Sequence, residues 1–432
     1  MRTFFKKIIT AILTLIAKGI LWRHNPKVIA VTGSVGKTST KDAIYVVMKG
    51  AGSVRRSEKS FNSELGVPLS IIGATSGWNS AGAWFGIIFS GIAQVLEAKG
   101  RYPKTLVLEV GADRPGDISS IAKWIKPHVV VITRLPEVPV HIEFFPTTAS
   151  LIEEKLSLAR GLRKDGTLIL NADDPLVLGA KDKLNFRTIT YGLNPDSMIR
   201  ASNVQLLAPS EQNPDGGLAF KVDFDGKSLP VILPNIYGES YMTIALAALS
   251  VAYACGQNMV TAIGDIASYE TPPGRVRLIA GIQDTVLIDD TYNSSPAACE
   301  AGLQMLKDIP FGKRKVAIIG DMLELGKYTS DAHVKVGQLA KKSANLLITV
   351  GMRAEETARG ALEAGMKESH MFHVDDAIAA ALIMKDHIKT GDVIYIKGSQ
   401  GMRMENTVKA LMLEPERARE LLVRQEREWK KK

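Results

Sequence analysis

The sequence predicts an α/β protein: a central P-loop-type nucleotide-binding domain with a mostly parallel sheet and an antiparallel side sheet, followed by a Rossmann-like C-terminal domain. Three observations carry this. Residues 28–41, VIAVTGSVGKTSTK, form a buried-strand run that breaks into a glycine turn and then a lysine and hydroxyl cluster. Short apolar runs alternate with helical segments on both sides of a Pro272-Pro273-Gly274 junction. The chain, at 432 residues and 46% hydrophobic, is too long for one ordinary domain. The expected division is an apolar and basic helix over 1–24, the nucleotide-binding domain over 25–272, the Rossmann-like domain over 273–413 and a charged, solvated tail over 414–432.

Composition narrows the class of function. The net charge of +9 suits phosphate-rich substrates or an anionic membrane surface, and no nucleic-acid motif accompanies it. Cys255 and Cys299 lie far apart in apolar segments and read as buried small hydrophobes in a reducing, cytoplasmic compartment.

The first segment, Met1 to Trp22, repeats Phe5, Ile8, Ile12, Leu13, Ile16 and Ile20 at helical spacing, with Lys6, Lys7 and Lys18 between them. Its uncharged stretch from Ile8 to Ala17 is short for a spanning helix, and no cleavage site follows. Two placements stay open: in the interface of the inner membrane face, or docked on the protein's own apolar surface. A second apolar segment, Trp84 to Leu96, is a candidate for its partner or for a second membrane contact.

In the glycine turn, Gly33 and Gly36 let the backbone N–H groups around Ser34 and Val35 approach phosphate oxygens, and Thr38 and Ser39 open a helix whose positive end faces the anion. Lys37 is placed to reach the terminal phosphates of ATP, and the Thr38 hydroxyl to sit on Mg²⁺. Val31 stands where the common G-x-x-x-x-G-K-[ST] pattern has glycine, so this loop is the shorter T-G-x-x-G-K-T-S.

Downstream, the polar turn 59–69 carries Asn62 and Ser63, candidate nucleotide or substrate contacts. The strand Thr105–Val110 brings Glu109 to its carboxyl end, a candidate Mg²⁺ ligand facing the same crevice. Taken alone, His141 is an ordinary loop histidine and Lys155, on the amphipathic segment SLIEEKLSLARGL, a solvated helix lysine. Alternation between Ile199 and Pro234 predicts the antiparallel side sheet, and Ile236 to Gly256 a helix opening after Gly238. Beyond the linker, Val286 to Pro296 ends a strand in Asp289 and Asp290, and the strands Lys315–Gly320, Leu346–Val350 and Val393–Ile396 complete the second domain.

In that order, GSVGKTSTKD, KSFNSELGVPL, LEVGADRPGDI, LIDDTYNSSP, GDMLELG and KGSQGMRME resemble the Mur ligases of peptidoglycan synthesis, most closely the members that add D-alanyl-D-alanine. The resemblance runs from about Pro26 to about Leu411. It implies an ATP-dependent amide ligase that phosphorylates the carboxylate of a UDP-linked or lipid-linked muramoyl peptide and joins the acyl phosphate to an amine, a D-amino-acid dipeptide or amino acid. It also implies two Mg²⁺ ions, with His141 at the second and Lys155 carbamylated by CO₂ into an anionic metal bridge; Glu153 and Glu154 are the alternative sources of negative charge there. By the same resemblance Arg275 reaches the terminal phosphate, Asp290 contacts the ATP ribose with Asn293 nearby, and Asp321, Glu324 and Ser399 face the incoming amine.

Three departures accompany these matches. Ser240, Tyr241 and Ile244 replace the family's histidine and asparagine at the opening of the 236–256 helix, leaving Tyr241 as a candidate for the adenine, and Gln400 stands where arginine is frequent. By this reading the family's first, UDP-holding domain is expected to be missing, because only the apolar helix precedes Gly33. Two other readings remain in view: a superfamily ligase with a different substrate, as in folylpolyglutamate synthases, and a non-catalytic, membrane-associated nucleotide-binding protein.

Overall fold

The computed structural model describes residues 2–426 and 429, apart from 59, 79, 138–140 and 212, and only the backbone of 2–5. The start of the 59–69 turn, part of the loop before His141 and the last residues of the tail therefore lie outside the described residues. Two sheets organise the rest. The nine-stranded sheet contains β1 (Lys27–Thr32), β2 (Val54–Arg56), β3 (Thr105–Glu109), β4 (Val129–Ile132), β5 (Thr167–Asn171), β6 (Arg187–Gly192), β7 (Ile199–Leu207), β8 (Gly217–Phe224) and β9 (Lys227–Pro234). Its order is β2-β3-β1-β4-β5-β6-β7-β8-β9.

Strands β1 to β7 run parallel, and β8 alone is reversed, pairing antiparallel with both β7 and β9. The expected side sheet is thus the far edge of the central sheet, continued through the parallel β6–β7 pair, and not a separate layer. β1 lies between β3 and β4, where the strand order reverses. A crevice opens beyond the carboxyl ends of strands at such a switch point.

The β-branched residues of β1, β3 and β4 are buried on both faces, as a covered parallel sheet requires. One face is closed by α1 (Arg2–His24), α3 (Gly66–Ile72), α5 (Asp117–Ile125) and α6 (Thr148–Arg160), with α4 (Ala81–Leu96) laid over α1 and α3. The other is closed by α2 (Lys37–Lys49) and the helix Glu239–Ala254. Leu13, Ala17 and Ile20 of α1 are fully buried in the first core, so α1 docks on the protein, while Ile8, Ile12, Leu15 and Trp22 stay exposed. Among the described residues no helix is long and apolar enough to cross a membrane.

The six-stranded sheet holds β10 (Arg277–Gly281), β11 (Thr285–Asp290), β12 (Arg314–Gly320), β13 (Leu346–Val350), β14 (Met371–Val374) and β15 (Asp392–Lys397), in the order β10-β11-β15-β12-β13-β14. All its pairs are parallel except β10–β11. β15 threads between β11 and β12, which puts Asp290 and Lys397 in register at the carboxyl ends of neighbouring strands.

The linker between the sheets is pinned. Asp289 accepts a hydrogen bond from Gly274 N at 3.0 Å, and Tyr292 N donates to Gly274 O at 3.0 Å. Gly274 has φ +70, and a Cβ there would meet Tyr292 N and Val423 at 3.0 Å, so a side chain is excluded twice over.

The tail departs from the expected solvated end. Pro415 opens a 3-10 turn, Pro415–Arg417, that leads into the short helix Ala418–Leu421, after which Leu422 and Arg424 are buried. Arg424 is neutralised by Glu405 and donates to the carbonyls of Thr291 (2.6 Å) and Tyr292 (3.0 Å). The charge alternation of that stretch hides a cation whose partners are far away in sequence.

Candidate functional site

The N-terminus of α2 sits at the switch point, directly after β1. Gly36 precedes the helix in a left-handed conformation (φ 83) with no side-chain cap, so the first-turn N–H groups are left for an external acceptor. Gly33 has φ +143, and a Cβ there would overlap the Thr133 hydroxyl at 2.0 Å. Thr133 in turn donates to Val35 O at 2.7 Å, and Ser34 N donates to Arg134 O at 2.7 Å, so β4 holds the loop from below. Such a preset cradle of N–H groups fits a polyphosphate.

Lys37 folds over this cradle, donating to Gly33 O at 2.9 Å. Burial lowers its pKa, opposed by the charge of Glu109. Lys155 reaches the same carbonyl from α6, at 3.1 Å. It is buried, contrary to the solvated helix lysine that its local sequence suggests. Burial, and then repulsion by Lys37, push its pKa well below the ordinary lysine value. The neutral amine so favoured is the form that adds CO₂.

Glu153 and Glu154 are committed elsewhere. Glu153 pairs with Arg160 and Lys183, and Glu154 accepts from Ile118 N (2.7 Å) and Ser119 N (3.0 Å) at the start of α5.

Glu109, paired in register with Val31, is buried at the end of β3. Its Oε1 accepts from Asn62 Nδ2 at 2.9 Å, while Oε2 is buried with no partner among the described residues. An orphaned carboxylate oxygen beside the phosphate cradle fits a hard cation. Thr38 is buried at the first turn of α2, with its hydroxyl 3.2 Å from Ser60 Oγ and 3.4 Å from Arg275 Nη2. Among the described residues no three His, Cys, Asp or Glu side chains gather as a ready-made cage. A metal here would therefore draw on phosphate oxygens and on Lys155 once it carries a carbamate.

His141 occupies a left-handed turn (φ 70), its Nδ1 2.7 Å from Glu324 Oε2 and its Nε2 3.8 Å from Asp113 Oδ1. Asp113 was not singled out in the sequence. Its charge also acts on Lys37 and Lys155, and the signal was its place four residues after Glu109 in GADRPGDI. Ser63 is exposed and accepts from Gly66 N at 3.3 Å, which caps α3; Asn62 serves Glu109.

The second sheet supplies the facing wall of a crevice lined by Ser34, Gly36, Ser39, Arg275, Asp290 and Asn293. Asp290 does not project free toward a ribose. Lys397 Nζ lies 2.5 Å from its Oδ2, Tyr395 Oη donates to it at 3.0 Å, and Lys397 also donates to Asn293 O at 3.0 Å. Lys397 is a buried cation that the motif KGSQGMRME did not mark.

Tyr241, proposed from its position for the adenine, is buried, with its hydroxyl donating to Arg275 O at 2.5 Å. It supports Arg275, and both Tyr241 and Ile244 line the crevice. Asp321 accepts from Ala354 N (2.8 Å) and Ser399 Oγ accepts from Leu323 N (2.8 Å), so these two knit loops together, while Glu324 is the member of that group turned toward the first sheet.

Comparison with known proteins adds to this geometry. The family model for the Mur ligase middle domain matches residues 90–252, and that for the Mur ligase glutamate ligase domain matches residues 274–400. The UDP-N-acetylmuramoyl-tripeptide–D-alanyl-D-alanine ligase of Bacillus subtilis is 28% identical over 403 residues, covering 93% of this chain and 79% of the relative. That of Escherichia coli is 27% identical over 390 residues, covering 89% and 76%. Among solved structures, MurF of Acinetobacter baumannii superposes with a TM-score of 0.75 at 23% identity, over 93% of this chain and 79% of that one. MurF of Thermotoga maritima in complex with ADP gives 0.74 at 24% identity, over 93% and 83%.

Proposed function

Because this chain belongs to the Mur ligase family of ATP-dependent carbon–nitrogen ligases, we propose that it activates the terminal carboxylate of a muramoyl peptide and joins it to D-alanyl-D-alanine. The observation that carries the reading is the convergence of Lys37, Lys155 and the orphaned Glu109 oxygen around the open N-terminus of α2, with Arg275 reaching over from the second sheet.

In the first step a carboxylate oxygen bonds to the terminal phosphorus of ATP and ADP departs. The α2 N–H groups, Lys37 and Arg275 meet the charge that accumulates on the transferred group. In the second step the amine nitrogen bonds to the acyl carbon, phosphate leaves and the nitrogen gives up a proton. Thr38 and Glu109 would hold one Mg²⁺, and His141 and a carbamylated Lys155 the other. The ions would supply charge neutralisation on the phosphates. Exclusion of water at closure protects the acyl phosphate from hydrolysis. The peptide arrives as a UDP-linked or a lipid-linked species, and the enzyme works at the cytoplasmic side, against the inner membrane face.

Incubation with ATP, UDP-muramoyl tripeptide and D-alanyl-D-alanine, followed by mass spectrometry, should give the pentapeptide product with stoichiometric ADP. ATP turnover indifferent to both substrates would leave only a nucleotide-binding role. Labelled CO₂ should give a carbamate carbon resonance that Lys155→Ala abolishes, with turnover falling about 100-fold or more. Full activity in that variant would remove the carbamate from the mechanism.

A further inference from the structure

Helix α4 packs on the first core through the partly buried Trp84, Ile87, Ile88 and Val95, and its other face is left open. Over its whole length only Gly91 is buried. Yet it is firmly seated: Gly91 sits against Ile16 of α1 and Ile72 of α3, and Gly19 of α1 meets Val95. Gln94 donates to Ile72 O at 2.8 Å and receives Arg55 at 3.2 Å, while its carbonyl lies 2.8 Å from His24 Nε2.

The seated helix turns Phe85, Phe89, Ile92 and Leu96 outward at 73, 76, 45 and 77% exposure, a stripe at helical spacing. Val95, the residue that touches Gly19 of α1, belongs to the packed side, roughly 90° around the helix from the stripe. On α1, the helix that α4 packs against, Ile8, Ile12, Leu15 and Trp22 are exposed as well. Eight large apolar side chains on two locked helices exceed the scattered exposure that a monomer shows by chance.

The charge around this face selects its occupant. Neither α1 nor α4 contains a carboxylate. Lys6, Lys7 and Lys18 are exposed on α1, and Lys99 and Arg101 follow α4. Apart from Glu97 at the end of α4, the charges flanking the stripe are cations, a pattern that matches a bilayer with anionic headgroups, where rings and aliphatic chains enter the acyl boundary and ammonium groups meet phosphates. Neither helix qualifies as a span, which leaves attachment in the plane of the surface.

We propose that α1 and α4 together form an interfacial docking face for anionic lipid, with the α4 stripe as the inserting element. This rests on the proposal that the enzyme works at the inner membrane face, and it assigns that contact to the joint surface of both helices.

The test is sedimentation of the full chain with vesicles of phosphatidylcholine alone or mixed with phosphatidylglycerol. Binding is expected to the mixed vesicles, to weaken about tenfold or more in F85E/F89E, and to weaken by roughly fivefold for each of Lys6, Lys7 and Lys18 replaced by Ala. Ligase turnover on a water-soluble substrate should be unchanged in F85E/F89E, which separates failure of docking from failure of the ligase reading. Absence of vesicle binding by the unaltered chain would overturn the proposal. So would light scattering showing a dimer that F85E/F89E dissolves, because the face would then be covered by a second copy.

Discussion

His141 Nδ1 lies 2.7 Å from the carboxylate of Glu324, joining the loop after β4 to the loop after β12 across the mouth of the crevice. Together with Arg275 on Thr38, it ties the second domain to the phosphate site. The hydrogen bond from His141 holds the Glu324 carboxyl below its usual range. The contact is therefore present at neutral pH and is lost as acidification protonates Glu324. Both groups are partly exposed, so the pair is worth no more than about 1 kcal/mol, or roughly fivefold in the ratio of closed to open forms. Glu324→Gln should enlarge the radius of gyration of the ATP-free protein in solution scattering, and high salt should shift the unaltered protein the same way. Identical curves would show that the contact does not govern closure.

Asn62 is expected to act through Glu109. Loss of its amide leaves the carboxylate free to rotate, and removal of such an outer partner costs about 10–100-fold in metal affinity. In Asn62→Ala the half-saturating Mg²⁺ for ATP turnover should rise by that factor, with the KM for the amine little changed. An unchanged Mg²⁺ curve accompanied by a higher KM for the peptide would make Asn62 a direct substrate contact instead.

Lys397→Met should be among the more damaging single changes in the second domain. It leaves Asp290 buried beside Tyr395 without its cation, a loss of about 3–5 kcal/mol in urea unfolding. Adding Asp290→Asn removes the stranded charge and should restore much of the stability, though not nucleotide binding. Additive losses in the double variant would show that the pair is not coupled.

Burial pushes the Asp289 carboxyl up to about 6, against hydrogen bonds from Thr291 and Gly274 that favour the charged form. A carboxyl whose folded pKa exceeds its unfolded value contributes stability that is full below 3.8 and is lost as the pH rises through about 6. The unfolding free energy of the unaltered chain minus that of Asp289→Asn should therefore fall by up to about 3 kcal/mol over that interval and be flat above it. The slope carries the test, because the asparagine also changes the clamp on Gly274 at every pH. A flat difference would mean that Asp289 stays charged throughout.

How much of the site was legible follows from the range of the interactions. The phosphate loop could be read because a strand, two glycines, a lysine and a hydroxyl act within one local turn. Glu109 could be read because a strand has only one carboxyl end. Lys155, Asp113 and Lys397 could not be read this way: the two lysines look like surface charges until distant segments bury them, and Asp113 remains an exposed carboxylate whose role depends on His141 folding toward it. The resemblance in motif supplied Lys155 but was silent on the other two.

By itself, then, the sequence determined the alternation of strands and helices, the phosphate cradle and the family, all of which rest on periodicity and on short-range backbone geometry. Tertiary structure alone decided that β7 to β9 extend the central sheet, that Arg424 closes the tail over the linker and that Asp290 is held by Lys397. It also decided that α1 is half core and half surface. The physical reason is common to all four: burial and charge pairing are properties of what a residue packs against, and helical or strand spacing says only which residues share a face.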